Sequence, residues 1–342
     1  SFEKIAEALK FLEETGIPNA KHEEYKYCNM ELVLRKEFKT LSGKSIEADR
    51  KKLATLKTNS NSIYVFVING KLDAELSDLK NLPSGLSIED IHSGSEKYKA
   101  HFHKHFTSYA EGSSDAFIAL NTAFASEGLF IHASTNSVQE KTVEIIYSNW
   151  NNESTAHQYR KLFLIENNAQ LSINEHYISG SGKQFNNEVT EIVVEEGAHF
   201  KHNLIQNAGQ TNYTVNTICA EQEKNSHYSI NTFVFSGALV RNNLNIRVNG
   251  QHAETHLNGL CVSKEQMLID NHTTVDHAQA NCESNELYKG IAAGKSTLVF
   301  NGKILVKRDS QKINAYQTTK RVSVPISAPS TTLLDRKSTR LS

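Results

Sequence analysis

Proline is scarce in this chain of 342 residues, with four in all, and so are cysteine at four, methionine at two and tryptophan at one. A charge of one sign is missing too: 37 Lys and Arg against 38 Asp and Glu leave a formal net charge of -1, so no uniform field draws in a polyanion or a membrane surface. Nucleic acid is therefore not an expected partner. No apolar run reaches the ~20 residues of a spanning helix, and no basic-then-apolar leader with a small-residue cleavage site opens the sequence. Membrane and secretory readings fall away, and a soluble, cytoplasmic protein is expected. Cys28, Cys219, Cys261 and Cys282 have no C-x-x-C spacing, which excludes a locally written zinc knuckle or redox pair; a disulfide framework does not suit a chain of this size. What is present, 38% hydrophobic and 22% charged residues, is a globular composition.

Three stretches differ in vocabulary. Residues 1–112 read as a mixed, mainly helical segment. Phe2 to Thr15 carries an apolar face and stops at Gly16 with Pro18 beyond, as helices do when glycine supplies the left-handed cap. Ile63 to Ile68 (IYVFVI) is a buried strand closed by Asn-Gly, and Tyr98, Phe102 and Phe106 share a helical face over Tyr98 to Ala110. The chain begins at Ser1 already inside an amphipathic pattern, so a few preceding residues are expected. Residues 113–320 are short β-branched and aromatic runs separated by Asn, Gly, Ser and Glu, almost without proline. From 321 to 342 the text (RVSVPISAPSTTLLDRKSTRLS) loses both periods and is expected to be a tail of different build.

The long middle stretch repeats. Asn174, Asn203, Asn231, Asn258, Asn285 and Asn314 recur every 27 to 29 residues, the signature of stacked coils. Five residues before the first five stand Ala169, Ala198, Ser226, Ala253 and Ala280; three before come Leu171, Phe200, Tyr228, Thr255 and Cys282; two before come the polar Ser172, Lys201, Ser229, His256 and Glu283. This is an in-and-out alternation once per coil, and His176, Ile205, Phe233, Leu260 and Leu287, two beyond the asparagines, are expected to resume the inward packing. The fold expected is mainly β, a parallel β-helix of two or three strands per coil behind the N-terminal segment. The six asparagines are expected to form a ladder at a corner, because Asn tolerates left-handed backbone and its amides can bond from rung to rung.

Chemistry is harder to find. Gly290 to Thr297 (GIAAGKST) has only three residues between its first Gly and the Gly-Lys-Ser, where a phosphate loop needs four, and it reads as a β-turn. His101 and His105 would share a helix face, a solvated one in the ordinary case. His199 and His227 fall one residue after the small position of adjacent coils and should stack, as a polar ladder before a soft-metal site. Asp270 to Glu283 (DNHTTVDHAQANCE) concentrates His272, Asp276, His277 and Cys282, the right donor types for iron or zinc, although outward polar positions of a solenoid would look the same. No nucleophile elbow or metalloprotease helix is present, so no catalytic set emerges.

At this stretch, NHTTVDHAQANCESNELYKGI (Asn271 to Ile291) followed by STLVFNGKILVKRDSQKINAYQTTK (Ser296 to Lys320) resembles the SufB/SufD family of the SUF iron-sulfur cluster assembly system. HEEYKYCNM (His22 to Met30) is similar to the N-terminal signature that marks the SufD side of that family, and FIALNTAFASEGLFIH (Phe117 to His132) to the entry of its β-helix. The resemblance implies a right-handed parallel β-helix and a scaffold, not an enzyme. It implies pairing with SufB through the β-helix and docking of the ATPase SufC on C-terminal helices. It further implies no cofactor held tightly by this chain alone, an Fe-S cluster or iron passing transiently through the assembled complex. The family's Cys-Ser-His-Gly-Ala segment and SufC-docking helices find no counterpart in 321–342, so SufC binding by this chain is not expected. The alternative is an exported polysaccharide-acting β-helix enzyme, against which the missing leader and the N-terminal signature both weigh.

Overall fold

The computed structural model describes residues 2–35, 38–40, 49–112, 114–151, 153–307, 310, 312–324 and 331–340. The N-terminal part contains α1 (Phe2–Thr15), α2 (Met30–Leu34), β1 (Lys39–Thr40), α3 (Arg50–Ala54), β2 (Ser62–Ile68), β3 (Lys71–Leu72), β4 (Leu86–Asp90), α4 (Ile91–Lys97), α5 (Lys99–His105) and α6 (Ala116–Phe124). The expected first helix and the IYVFVI strand are both present, and Asn69 and Gly70 turn β2 into β3 with φ of 52 and 79°. The helix expected to run to Ala110 ends at His105; beyond it the backbone N–H groups of Thr107, Tyr109 and Ala110 bond to the Glu191 carboxylate instead of to a helix. Local periodicity lost there to a buried acceptor.

Fifteen strands follow among the described residues. They are β5 (Glu127–Ala133), β6 (Thr142–Trp150), β7 (Thr155–Ile165), β8 (Gln170–Ser181), β9 (Gln184–Val194), β10 (His199–Asn207), β11 (Tyr213–Gln222) and β12 (His227–Ser236), then β13 (Leu239–Val248), β14 (Glu254–Ser263), β15 (Leu268–His277), β16 (Glu283–Ala293), β17 (Thr297–Val306), β18 (Asn314–Val324) and, after 325–330, β19 (Thr331–Arg340). Odd-numbered strands from β5 to β19 pair in parallel as one sheet, with β4 antiparallel at its end, and even-numbered strands from β6 to β18 pair as a second, with β2 parallel and β3 antiparallel at its end. The protein is therefore a β-solenoid with two long strands per coil. The N-terminal segment supplies β2 to one sheet and β4 to the other, and β18 runs through the expected boundary at 320.

The register sorts the six asparagines. Asn174, Asn203, Asn231 and Asn258 lie directly opposite one another, and their amides form a continuous chain, each Nδ2 donating to the Oδ1 of the coil before at 2.7, 2.7 and 2.9 Å. Asn174 ends the chain on Glu144. Asn285 and Asn314 do not belong to it: Asn258 faces Leu287, and Asn285 faces His256 and Tyr316, while Asn314 faces Glu283. The later coils have grown by two residues and then four, and an even shift keeps every side chain on its face, so alternation alone could not expose the slip. For the same reason Cys282, not Ala280, continues the small inward column of Ala169, Ala198, Ser226 and Ala253. The asparagine ladder also stands in mid-strand on the outer face, and His176, Ile205, Phe233, Leu260 and Leu287, two residues on, share that half-buried outer face instead of turning inward.

The corner itself belongs to another column. Asn136, Asn168, Asn225, His252, Asn281 and Lys312 have φ between 56 and 61°, and Gly197 takes the same place at 68°. All lie where a strand of the odd-numbered sheet turns into the even-numbered one; Asn168, Gly197, Asn225, His252 and Asn281 each precede a small buried residue, and the N–H groups of Asn168, Gly197 and Asn225 bond to carbonyls of the next coil at 2.9, 2.9 and 3.0 Å. Four of seven are asparagine because its short polar side chain lowers the cost of left-handed backbone. Inside, a single apolar column of both sheets runs the length of the solenoid, including Phe163, Phe200, Tyr228, Ile230 and Leu257, each worth about 1.5–3 kcal/mol on burial. Gly259 is built into that column: a Cβ there would meet the Tyr288 ring at 2.2 Å.

Candidate functional site

The outer face of the odd-numbered sheet carries a polar cleft of about 420 Å³ between the strands and the N-terminal segment. It is built around Arg241 of β13. The guanidinium donates to Asp270 of β15 at 2.6 Å and to the backbone carbonyl of Glu24 at 2.8 Å, and lies 3.9 Å from the centre of the Tyr25 ring. His272, two residues on from Asp270 and therefore on the same face, places Nε2 at 2.8 Å from Asp270 and Nδ1 at 3.4 Å from Glu24; Lys303 of β17 pairs with the same Glu24 carboxylate. Burial would push the Asp270 carboxyl up, but Arg241 and His272 outweigh it and hold it below the usual range. The hydrogen bond from His272, with Lys303, brings Glu24 down to about 2 against its partial burial. Burial works against the His272 cation, yet its bonds to Asp270 and Glu24 raise its pKa. Tyr25 completes the attachment by donating to Asp115 at 2.6 Å, and Cys28 and Met30 sit buried beneath. The HEEYKYCNM stretch is thus a strap clamped to the sheet by charge.

This geometry divides the four residues singled out as possible metal ligands. His272 is committed to Asp270 and Glu24. Asp276 shares its face but lies four residues along an extended strand, about 13 Å away, near Arg247 and Lys307 at 4.0 Å each. His277 points inward, 3.0 Å from the Ser284 hydroxyl, with its pKa lowered to about 4 by burial. Cys282 is buried in the corner column, its Sγ 3.2 Å from the Gly250 carbonyl and its thiol pushed up by burial. The four do not converge on one point, because neighbours in sequence on a strand face opposite sides. His199 and His227 do stack, with ring centres 4.2 Å apart and planes 12° from parallel, and His227 turns its Nδ1 to Glu254 at 3.1 Å, as a polar ladder does. GIAAGKST is the end of β16 and a turn at Gly294 with φ 71°. His105 is buried, its Nδ1 2.6 Å from the Tyr109 hydroxyl.

Charge in the solenoid interior went unnoticed in the sequence. Lys161 of β7, with no side-chain exposure, donates to Glu175 at 2.7 Å, to Glu188 at 3.0 Å and to the Tyr177 hydroxyl at 2.8 Å. His202 faces Glu175 at 2.7 Å and Tyr147 donates to it at 2.7 Å. Burial opposes charge on both partners, but their attraction prevails: Lys161 is raised and Glu175 is held far below the carboxylate range. On the outer face Arg160 repeats the pattern with Glu191 at 2.7 Å. One signal was available: Glu175 and His202 occupy the inward phase set by Leu171, Ile173 and Phe200.

Among the described residues nothing pairs with the far edges of β18 and β19, and β18 leaves Tyr316 63% and Val322 58% exposed. A model of the SufBD protein N-terminal region matches residues 3–145, and one of the SUF system FeS cluster assembly, SufBD core domain, matches residues 147–328. The chain belongs to the SufBD family. It is 25% identical over 317 residues to the iron-sulfur cluster assembly protein SufD of Escherichia coli, covering 91% of this chain and 71% of that protein. It is also 25% identical over 323 residues to an iron-sulfur cluster assembly SufBD family protein of Synechocystis, covering 91% and 70%. Among the described residues no helix is long and apolar enough to cross a membrane.

Proposed function

We propose that this SufBD chain is a non-catalytic cytoplasmic scaffold of the SUF system that pairs with SufB through its β-helix, an Fe-S cluster or iron passing through the pair as cargo. The observation that carries the reading is β18, an eleven-residue edge strand with Tyr316 and Val322 exposed. Unpaired backbone groups on such an edge template strand addition, and a partner solenoid would cover both apolar side chains. Matches to two SufBD models end to end run opposite to what an exported polysaccharide enzyme requires. Membership of the SufBD family supports work within the SUF system, and we infer that the ATPase SufC takes part; residues 321–324 and 331–340 are strand, so helix-mediated docking of SufC on this stretch is not expected, and a calorimetric titration with micromolar binding would overturn that.

Co-expression with SufB and sizing of the purified material tests the pairing. The expected result is a one-to-one complex, lost in the double variant Y316D/V322D while that variant alone melts at the parent temperature. A complex that survives both substitutions would move the interface elsewhere on the molecule.

A further inference from the structure

We propose that His101, His132 and Glu166 form a binding site for one divalent transition-metal ion of the zinc class, on the outer face of the odd-numbered sheet under α5. The three come from separate elements: His101 from α5, His132 from β5, and Glu166 from the residue that follows β7. Their donor atoms lie within 4.8 Å of one another. His132 Nε2 is 3.1 Å and His101 Nε2 3.5 Å from the same oxygen, Glu166 Oε1. Ligands at about 2.0–2.1 Å from a tetrahedral zinc stand about 3.3 Å from each other. Two of the three edges of a ligand face therefore already have the right length, and a small rotation of His101 closes the third.

A plain ion pair accounts for the arrangement less well. His132 is 7% exposed, and its Nε2 has no aligned hydrogen bond although Glu166 is within reach; two imidazole nitrogens converge on one carboxylate oxygen where a pair needs one. The other oxygen, Oε2, is held by the backbone N–H and the hydroxyl of Thr135, both at 2.9 Å, which aims Oε1 at the histidines as the hydrogen-bond partners of metal-ligating carboxylates do. The Glu166 backbone is fixed by its N–H bond to the Ala133 carbonyl at 3.0 Å. Tyr98 and Phe130 flank the His132 ring at 5.4 and 6.1 Å between centres, locking its orientation. Lys104, three residues on from His101 in α5, is directed to Glu195 at 3.9 Å. His101 is one-third exposed and gives the fourth coordination position to water.

The site is independent of SufB pairing and uses none of the residues proposed for it. The full chain, stripped with a chelator, would be titrated with Co²⁺ and then Zn²⁺, following visible ligand-field bands and calorimetric stoichiometry. One ion per chain is expected, with tetrahedral-type bands that Zn²⁺ abolishes. Affinity should fall roughly tenfold or more in H101A, in E166Q and in T135A, which frees Glu166 Oε2 from the Thr135 hydroxyl, and should be unchanged in H199A, which removes the other histidine pair. His101 and Thr135 are exposed enough to replace without unfolding, and a melt of each variant verifies it. No stoichiometric ion, equal affinity in H101A and E166Q, or loss in H199A would overturn the assignment.

Discussion

Replacing Lys161 with methionine removes a cation that two buried carboxylates share. The ammonium has no exposure and sits 2.7 and 3.0 Å from Glu175 and Glu188; Met keeps most of the volume, so cavity formation contributes little and charge dominates. Breaking a buried pair from one side costs about 3–5 kcal/mol, because the remaining charge stays buried without its partner. At ~2–4 °C per kcal/mol for a chain of 150–250 residues, and less for a longer one, K161M should melt about 6–15 °C below the parent by circular dichroism. The pH response should invert as well. In the parent the Glu175 pKa lies far below its unfolded value, so its contribution is complete above about pH 4.5 and is lost as pH falls further through the folded value. Without Lys161 burial raises that carboxyl, and K161M should regain ground on the parent as pH drops from 7 to 5. The triple variant K161M/E175Q/E188Q, with no net charge left in the cluster, should recover at least half of the loss. A single variant within about 2 °C of the parent, or a triple variant no better than the single, would refute the charge argument.

Asn203 donates to Asn174 and accepts from Asn231 at 2.7 Å each, so N203A should cost about 1–2 kcal/mol, whereas N285A, outside the ladder and bonded only within its own strand to Glu283, should stay within about 0.5 kcal/mol in the same urea titration. The His272 pKa is raised by Asp270 and Glu24 despite burial; its attachment of the strap is complete below the unfolded histidine pKa and weakens as pH rises through the folded value. Amide exchange across residues 22–30, corrected for intrinsic rate, should therefore step up as pH rises above the ordinary histidine pKa, and H272Q should abolish the step. At the corner, G197A should destabilise the fold, since φ is 68° and a Cβ would meet the Asn168 amide oxygen at 2.3 Å, while G197N, the residue found at four equivalent corners, should lose less in a thermal melt.

What the sequence carried and what it hid follow from the period of two. Because the pleat alternates, a repeat spaced at 27 to 29 residues places stacked coils and their faces without any knowledge of the turns, and four asparagines fell on one line. The same period conceals an even insertion, which is why Asn285 and Asn314 looked equivalent to Asn258 while lying two and four residues off its line. The corner was legible in kind and not in place: the Asn preference was the right physics, applied to a mid-strand column when Asn168, Asn225 and Asn281, one position before the small column, carry the left-handed backbone. Lys161 and Glu175 were readable by phase, since each stands where an apolar residue belongs, but pairing across coils needs the register first.

His101, His132 and Glu166 could not be found from the sequence at all. His132 and Glu166 are separated by one coil and two residues, and His101 arrives from a helix whose direction no strand pattern predicts. Donors in a zinc knuckle are close in sequence because a short turn must bring them together; a solenoid removes that requirement, because the register already holds residues a coil apart at about 4.8 Å. A motif search therefore fails where this fold is best able to assemble a site. The cluster spotted by local density, His272 to Cys282, was scattered by the same pleat that gathered the dispersed one. In a β-solenoid, donors should be sought down a column and across to whatever element covers it, not along the strand.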